Sequence, residues 1–368
     1  MNLKKKGQID FYFLIVVFAL LAFGLMMVMS ASSESARNAS YTGGDAYYFI
    51  KRQLIWAVLS VAAMFFCSRF DYHKLTKWSG AIIILAFILL IMVPVAGTEV
   101  NGGQRWLRLG PVQFQPSEIA KIALIIYLAS SLSKNKKYLE TVSRGLLPNL
   151  IVIGVTAALL IIQPHFSATI IIVAVGVIML FVGGVNWKHL LALAAPVVAA
   201  GVMIVMTSSY RRARVFSFLD PFADPLGDGY QVIQSLYAIG SGGLFGVGLG
   251  QSRQKFLYIP EPQNDFIFSI LCEELGFVGA FVVIALFVFL VYRGFKIAMN
   301  AKDKEGSLIA VGITSLIALQ VIMNIAVVTS AMPVTGIPLP FFSYGGTALF
   351  IIMSCMGIML NISRQSNQ

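Results

Sequence analysis

Apolar runs, most of them uncharged and close to the length of a membrane-spanning helix, recur along this 368-residue chain. A hydrocarbon core about 30 Å thick requires about 20 apolar residues in a helix, and an α-helix satisfies its own backbone hydrogen bonds where water is absent. Hydrophobic residues make up 58% of the chain and charged residues only 12%. We therefore predict an all-α polytopic membrane protein, a single domain over residues 1–368, with about ten transmembrane helices at 11–29, 54–68, 79–96, 119–132, 146–163, 168–185, 190–208, 266–292, 308–328 and 348–360.

The run 229–250 is also uncharged and long enough to span, but it contains seven glycines. Each glycine weakens a helix by about 1 kcal/mol relative to alanine, and irregular backbone at membrane depth is tolerated where it is buried against protein. We predict a re-entrant or surface-lying segment here. An eleventh span is the alternative, and it would reverse the side on which the rest of the chain lies.

Lysine and arginine are concentrated in alternate short connections between the predicted spans, as the positive-inside rule describes for cytoplasmic loops. The pattern predicts that both termini are cytoplasmic and that the long loop 209–265, between helices seven and eight, is extracytoplasmic. A retained first helix is predicted rather than a cleaved signal peptide, because the first apolar run is too long for one and further spans follow.

Cysteine, histidine and net charge argue against several other kinds of site. The cysteines Cys67, Cys272 and Cys355 and the three histidines are scattered, without the spacing of a metal site or a disulfide framework. Much of the net charge of +11 comes from the basic cytoplasmic connections, so it does not by itself indicate nucleic-acid binding.

Asp265 is the most informative candidate functional residue, because it ends a polar, proline-marked segment just before an apolar run. Several basic residues in the outer connections run against the orientation bias. A guanidinium matches phosphate oxygens bidentately, so we predict a diphosphate site that draws on Arg105, Arg211, Arg214 and Lys255. Anchoring to lipid headgroups, or pairing with nearby acidic residues, is the alternative. An acid beside bases at this boundary suggests chemistry on an anionic lipid.

Glu118 and Lys121 are a second candidate pair. Their i, i+3 spacing places them on one face of the fourth predicted span, and ionisable residues at membrane depth usually face the protein interior and pair. A structural ion pair and a substrate-facing pair are both open. Glu273 and Glu274 follow Asp265 about 12 Å further along the helix and on other faces, so we predict that Asp265 acts as a single carboxylate.

Five segments resemble the SEDS family (shape, elongation, division and sporulation), which includes FtsW, RodA and SpoVE. They are IPEPQNDFIFSILCEELG at 259–276, the segment 106–118 ending in QPSE, YRRARVFSFLDP at 210–221, GVGLGQSRQK at 246–255 and PVTGIPLPFFSYGG at 333–346. These segments occur in family order, and the similarity covers nearly the whole chain. The EPQ before Asp265 favours the FtsW and SpoVE branch. One turn departs from the family, since 163–167 reads QPHFS in place of the usual QPDLG.

The resemblance implies a peptidoglycan glycosyltransferase that polymerises lipid II onto an undecaprenyl-diphosphate-linked glycan outside the cytoplasmic membrane. It also implies a class B penicillin-binding transpeptidase as partner, together with division or sporulation proteins. In the family, the aspartate that matches Asp265 is catalytic. The pair matching Glu118 and Lys121, and the arginines matching Arg211 and Arg214, line or support the site.

A diphosphate is a good leaving group once its charge is stabilised, so a single general base is sufficient for this reaction. Asp265 would take the proton from the 4-hydroxyl of the acceptor sugar as that oxygen attacks the anomeric carbon and inverts it. Neighbouring arginines lower the pKa of an aspartate, so this role requires partial burial. The alternative is that Asp265 ligates Mg²⁺ or Mn²⁺ bridging the diphosphate. A flippase for the lipid-linked precursor and a non-catalytic scaffold are the competing functions.

Overall fold

The computed structural model describes residues 9–100, 103–110, 112–134, 141–207, 209–227 and 229–366. Within these ranges the helices are α1 (Phe11–Asn38), α2 (Tyr48–Arg69), α3 (Tyr72–Lys77), α4 (Ser79–Ala96), α5 (Pro116–Lys134), α6 (Leu147–Ile162), α7 (Phe166–Gly183), α8 (Trp187–Met206), α9 (Ser209–Leu219), α10 (Tyr230–Ser241), α11 (Ile267–Met299), α12 (Lys304–Val328) and α13 (Gly346–Gln365). The strands β1 (Thr98–Val100), β2 (Gly103–Leu109) and β3 (Val112–Phe114) form a small antiparallel sheet in that order between α4 and α5.

Each predicted span coincides with a helix, which confirms the all-α membrane architecture. Eight helices in the described part of the chain are long and apolar enough to cross a membrane: α1, α2, α4, α7, α8, α11, α12 and α13. The other two are α6, which is shorter at 16 residues, and α5, which has 19 residues but carries Glu118 and Lys121 near its start. The chain is therefore a multi-pass membrane protein.

Helix α12 is the most enclosed of the long apolar helices, and it packs against α5, α7 and α11. Around it, α2 packs along α13 and α1 packs along α11. Helix α8 has no buried residue, so its apolar side chains are available to lipid. Water drives no association between apolar helices inside a bilayer, so the close packing around α12 supplies much of the cohesion of the bundle.

The glycine-rich run does not form a spanning helix, as predicted. It contains the 12-residue helix α10, after which a loop returns to the start of α11. At about 1.5 Å per residue, α10 is roughly 18 Å long, which is too short for a hydrocarbon core of about 30 Å. Helix α10 packs instead on α11 and α12.

Helix α11 is broken at Gly276, whose backbone angles are φ 66° and ψ −167°. A break leaves carbonyl groups before it and N–H groups after it without helical partners. The loop 243–248 supplies these partners: the N–H groups of Val247 and Gly248 donate to the carbonyls of Glu273 and Glu274 at 3.0 and 3.1 Å, and those of Phe277 and Val278 donate to the carbonyls of Gly243 and Leu244 at 2.9 and 3.1 Å. The loop thus satisfies the backbone groups of a membrane helix at its break, where Gly276 is buried.

The Gly276→Ala variant is expected to be strongly destabilised. A left-handed conformation costs a non-glycine residue about 1–3 kcal/mol, and a Cβ at this position would lie 2.6 Å from the carbonyl oxygen of Leu244. Thermal unfolding of the purified protein in detergent measures the effect. Gly154→Ala on α6 is the matched control, because a Cβ there meets nothing within 4 Å. Equal unfolding temperatures for the two variants would contradict the assignment of the break.

Candidate functional site

Asp265 lies in the turn immediately before α11 and is half-buried. Its backbone carbonyl accepts a hydrogen bond of 2.8 Å from Nδ2 of Asn324 on α12. The same nitrogen donates to the carbonyl of Ile337 at 2.8 Å. Asn324 therefore fixes the Asp265 turn to the loop between α12 and α13.

The loop between α12 and α13 is fastened to the Asp265 turn at two further points. Ser343 Oγ donates to the carbonyl of Asn264 at 2.6 Å, and the N–H of Tyr344 donates to the carbonyl of Gln263 at 2.8 Å. A functional group held on supported backbone keeps a defined position. The carboxylate of Asp265 is thus presented by a braced turn.

The pKa of Asp265 is raised above its ordinary value, and burial is the main cause. A backbone hydrogen bond acts in the opposite direction, as does the positive charge of Arg214, while the charge of Glu261 adds to the rise. The backbone of Gly336 contributes to the enclosure, since a Cβ there would lie 3.4 Å from Oδ2 of Asp265. Desolvation favours the neutral acid, so this carboxylate is a stronger base than an exposed aspartate.

Arg214 lies on α9, and its Nη1 donates to the carbonyl of Val334 at 2.9 Å. The α12–α13 loop thus accepts a hydrogen bond from Arg214 and, at Gly336, lies against the Asp265 carboxylate. The positive charge of Arg214 lowers the pKa of Asp265, so the two groups interact electrostatically. Arg211 belongs to the same helix, but the role predicted for it falls on a side chain outside the described residues.

Glu118 and Lys121 form a buried ion pair of 2.8 Å on α5. Near them, the turn before α7 holds His165, whose Nε2 lies 2.8 Å from Nε2 of Gln115. Burial lowers the pKa of His165 to about 3, with contributions from the charges of Arg105 and Lys121. The histidine that departs from the family pattern is therefore neutral.

Arg105 reaches the same turn, where its Nη2 donates to the carbonyl of Pro164 at 2.8 Å. The structure thus brings three predicted site residues, Arg105, Glu118 and Lys121, around the 163–165 turn. Ser167, the second residue of α7, follows that turn and donates through Oγ to the carbonyl of Thr335. This second cluster therefore adjoins the same α12–α13 loop that braces Asp265.

Lys255 lies in a different, buried network. Its Nζ donates to Oε1 of Glu274 at 3.1 Å and to the carbonyl of Gly250 at 2.7 Å. The neighbouring Glu273 accepts hydrogen bonds from the side chain of Ser252 and from the N–H of Arg253. These glutamates hold the loop that completes α11. The predicted contact between Lys255 and a diphosphate would require its pairing with Glu274 to break.

Helix lengths indicate how deep Asp265 lies in the membrane. From Phe11 at the start of α1, about 20 residues of helix cross a hydrocarbon core of about 30 Å and reach Ser30. Ser30 Oγ donates to Glu274 on α11 at 2.6 Å. From Glu274 back to the first turn of α11 is roughly 10 Å at about 1.5 Å per residue. The first turn of α11, with Asp265 before it, therefore lies roughly 10 Å beyond the level of Ser30.

Sequence reasoning identified Asp265 and Arg214 but missed the residue that positions the turn. Asn324 is a fully buried amide within the apolar helix α12. A polar side chain at membrane depth usually has a specific partner, so Asn324 in the sequence indicates a tertiary hydrogen bond on α12. Its partners, the carbonyls of Asp265 and Ile337, lie in separate loops and could not be read from spacing along the chain.

Comparisons with known proteins confirm the resemblance over the whole chain. Residues 11–368 match the FtsW, RodA and SpoVE family model, described as cell cycle protein. Stage V sporulation protein E of Bacillus subtilis (strain 168) is 44% identical over 364 residues, which are 98% of this chain and 99% of that protein. The probable peptidoglycan glycosyltransferase FtsW of Trichlorobacter lovleyi is 42% identical over 359 residues, covering 97% and 93% of the two chains.

Solved structures share the fold. One chain of a peptidoglycan synthase complex superposes on this protein with a TM-score of 0.80 at 29% identity. The match covers 97% of this chain and 98% of that chain, in a structure that describes the coordination of polymerization and crosslinking. The crystal structure of the Thermus thermophilus rod shape determining protein RodA superposes with a TM-score of 0.71 at 26% identity, covering 98% of each. The chain belongs to the FtsW, RodA and SpoVE family of cell cycle proteins.

Proposed function

We propose that this chain, as a peptidoglycan glycosyltransferase, polymerises lipid II into glycan strands at the outer face of the cytoplasmic membrane, for division or sporulation. One observation carries the proposal: the carboxylate of Asp265 is half-buried, has a pKa raised by burial and interacts electrostatically with Arg214. Helix lengths support a position of this pair about 10 Å beyond a hydrocarbon core that begins at Phe11, at the level of lipid phosphates. A base next to a cation at that level suits an acceptor hydroxyl next to a diphosphate.

Asp265 acts as the general base in an inverting transfer. Its carboxylate takes the proton of the acceptor sugar's 4-hydroxyl as that oxygen bonds to the anomeric carbon of the lipid-linked strand. The bond between the anomeric carbon and the diphosphate oxygen breaks at the same time. Arg214, together with Arg211 on the same helix, stabilises the charge that develops on the leaving diphosphate.

The cluster of Arg105, Glu118 and Lys121 supports the diphosphate end of the site. Arg105 and Lys121 supply two positive charges, and Glu118 offsets one of them through its 2.8 Å ion pair. His165 adds no charge, because its pKa is lowered to about 3. The guanidinium of Arg105 and the ammonium of Lys121 suit an anion that approaches the α12–α13 loop from this side.

The orientation of the site follows from the basic connections and the number of spans. The positive-inside pattern supports a cytoplasmic position for both termini. Seven of the ten spans precede Asp265, an odd number that supports an outer position for it, and the short helix α10 adds no further crossing. Lipid II polymerisation takes place on that side, so the topology and the chemistry agree.

A class B penicillin-binding transpeptidase is the proposed partner, along with division or sporulation proteins. The solved chain that superposes with a TM-score of 0.80 belongs to a peptidoglycan synthase complex that coordinates polymerization and crosslinking. A glycan strand needs crosslinking soon after it forms, so a transpeptidase beside this site would receive the product directly.

The decisive test supplies lipid II to the purified protein in detergent. In detergent no membrane separates two compartments, so flippase activity gives no product. A polymerase forms glycan chains, which gel electrophoresis resolves. Polymer formation supports the enzyme. Transport of lipid II across vesicles by the same preparation, with no polymer in either setting, would support a flippase and overturn the proposal.

The pH dependence of the reaction tests the link between Arg214 and Asp265. The base works when deprotonated, so the rate should rise with pH through the pKa of Asp265, which burial holds above its ordinary value. Arg214 lowers that pKa, and Arg214→Gln should therefore move the acidic limb of the kcat/KM profile to higher pH. Arg214→Lys, which keeps the charge, is the control. A limb that stays in place in Arg214→Gln would contradict this coupling.

A further inference from the structure

A chain of aromatic rings runs across the Asp265 end of the bundle. Tyr41, in the short turn after α1, meets Tyr48 edge-on with ring centroids 6.0 Å apart. Tyr48 meets Phe49 at 5.4 Å, and Phe49 meets Tyr344 at 4.9 Å. The guanidinium of Arg52 lies 4.4 Å from the centroid of the Tyr48 ring. We refer to Tyr41, Tyr48, Arg52 and Tyr344 as the aromatic ledge.

The aromatic ledge borders the Asp265 turn. At one end, the N–H of Tyr344 donates to the carbonyl of Gln263 at 2.8 Å. At the other end, desolvation and then the negative charge of Glu261 raise the pKa of the Tyr41 hydroxyl. The same Glu261 charge adds to the raised pKa of Asp265, after burial as the main cause. One carboxylate is thus close to both the ledge and the proposed base.

The exposed end of the ledge lies outside the hydrocarbon core. A core that begins at Phe11 ends near Ser30, and helix α1 continues to Asn38 through the polar sequence SASSESARN, about 12 Å further at about 1.5 Å per residue. Tyr41 follows that extension, and 69% of its surface is exposed. Interfacial tyrosines also sit at headgroup level, but this ring belongs to a surface that adjoins the turn of the proposed base through Tyr344. Its exposed face is therefore open to a ligand that occupies the Asp265 site.

We propose that the aromatic ledge is a saccharide-binding subsite that holds the glycan strand next to Asp265, an inference that rests on the proposed function. A pyranose ring presents a face of C–H groups that packs on the negative face of an aromatic ring. Arg52 and Glu261 provide a charged donor and a charged acceptor for the hydroxyl and N-acetyl groups along the strand. Each transfer lengthens the strand, so sugars next to the reacting pair must lie on the surface that adjoins Asp265.

Binding of a lipid-free glycan tetrasaccharide to the full-length protein in detergent tests the ledge without relying on turnover. Tyr41→Ala should weaken the affinity measured by titration calorimetry about tenfold, and Tyr41→Phe should retain most of it. Arg52→Gln should weaken it as well. The matched control is Tyr292→Ala, since Tyr292 is 56% exposed but lies near the opposite end of α11. In the polymerisation reaction, Tyr41→Ala should also give shorter chains than Tyr292→Ala.

The possible outcomes separate the ledge from the proposed function. Unchanged tetrasaccharide affinity and chain length in Tyr41→Ala, with polymer still forming, would overturn the ledge. The same result with weaker binding of a transpeptidase would overturn it in favour of a protein-docking surface. Tyr41-dependent tetrasaccharide binding in a protein that never forms polymer would support the ledge and overturn the proposed function.

Discussion

The Asp265→Asn variant is expected to polymerise lipid II about 10²- to 10⁴-fold more slowly than the wild-type protein, because it lacks the carboxylate that accepts the proton. Asparagine keeps the shape of the side chain. The backbone carbonyl at this position would still accept the 2.8 Å hydrogen bond from Asn324, so the fold should be retained. Initial rates in detergent, measured together with thermal unfolding, separate loss of chemistry from loss of structure.

Glu99→Gln is the matched control for the loss of a carboxylate. Glu99 is exposed on β1, in the connection between α4 and α5, and its replacement should leave the rate near that of the wild type. A folded Asp265→Asn protein that polymerises lipid II as fast as Glu99→Gln would remove Asp265 from the mechanism.

The same variant separates the base from a metal ligand. Among the residues that the structure describes, no group of three or more His, Cys, Asp or Glu side chains is arranged to hold a metal ion. A Mg²⁺ or Mn²⁺ ion at Asp265 would therefore draw most of its oxygen ligands from the diphosphate and water. Weakened metal binding is overcome by a higher metal concentration, whereas a missing base is not. Recovery of Asp265→Asn at high Mg²⁺ or Mn²⁺ would favour the ligand role.

Hydropathy was sufficient to find the membrane helices, because the free energy of placing apolar residues in lipid depends on composition and length alone. It could not find the break in α11. The predicted span 266–292 reads as one apolar run, and the break at Gly276 is stabilised by backbone groups of the loop 243–248, which lies some 30 residues earlier. Glu273 and Glu274 in the middle of that run were the visible sign that the helix is not an ordinary span.

The residues of the candidate site likewise divide into those that local sequence predicts and those that only tertiary structure explains. Asp265 was found because it is an acid at the start of an apolar run, and that pattern is local. Lys255 was interpreted as an outward cation for a diphosphate, but its side chain is 3% exposed and pairs with Glu274 on another segment. Its charge is evident from the sequence, whereas its partner depends on how the loop after α10 folds back onto α11. Pairings of this kind are set by tertiary structure.

Removing Glu274 is expected to have the largest effect on stability. The Glu274→Leu variant leaves Lys255 as a buried cation, and breaking a buried ion pair from one side costs about 3–5 kcal/mol. It also removes the acceptor for Ser30 Oγ and for the N–H of Ser252. The thermal unfolding temperature in detergent should fall by many degrees, if the protein accumulates at all.

Two further variants separate the ion pair from a general effect of losing charge. Lys51→Met breaks a pair with Asp45 that is largely exposed, so it should leave the unfolding temperature nearly unchanged. The double variant Lys255→Met/Glu274→Leu replaces both buried charges with apolar groups, which is often neutral or stabilising. It should recover most of the stability lost in Glu274→Leu. A double variant as unstable as the single one would contradict the assigned pairing.

The double variant also decides what Lys255 does. If the lysine only fixes the loop that completes α11, the double variant should regain polymerisation activity together with stability, because Arg214 and Asp265 are unchanged. If Lys255 instead contacts the diphosphate during turnover, the double variant should be stable but slow. The structure favours the first outcome, since the ammonium group already donates hydrogen bonds to Glu274 and Gly250 and is almost entirely enclosed.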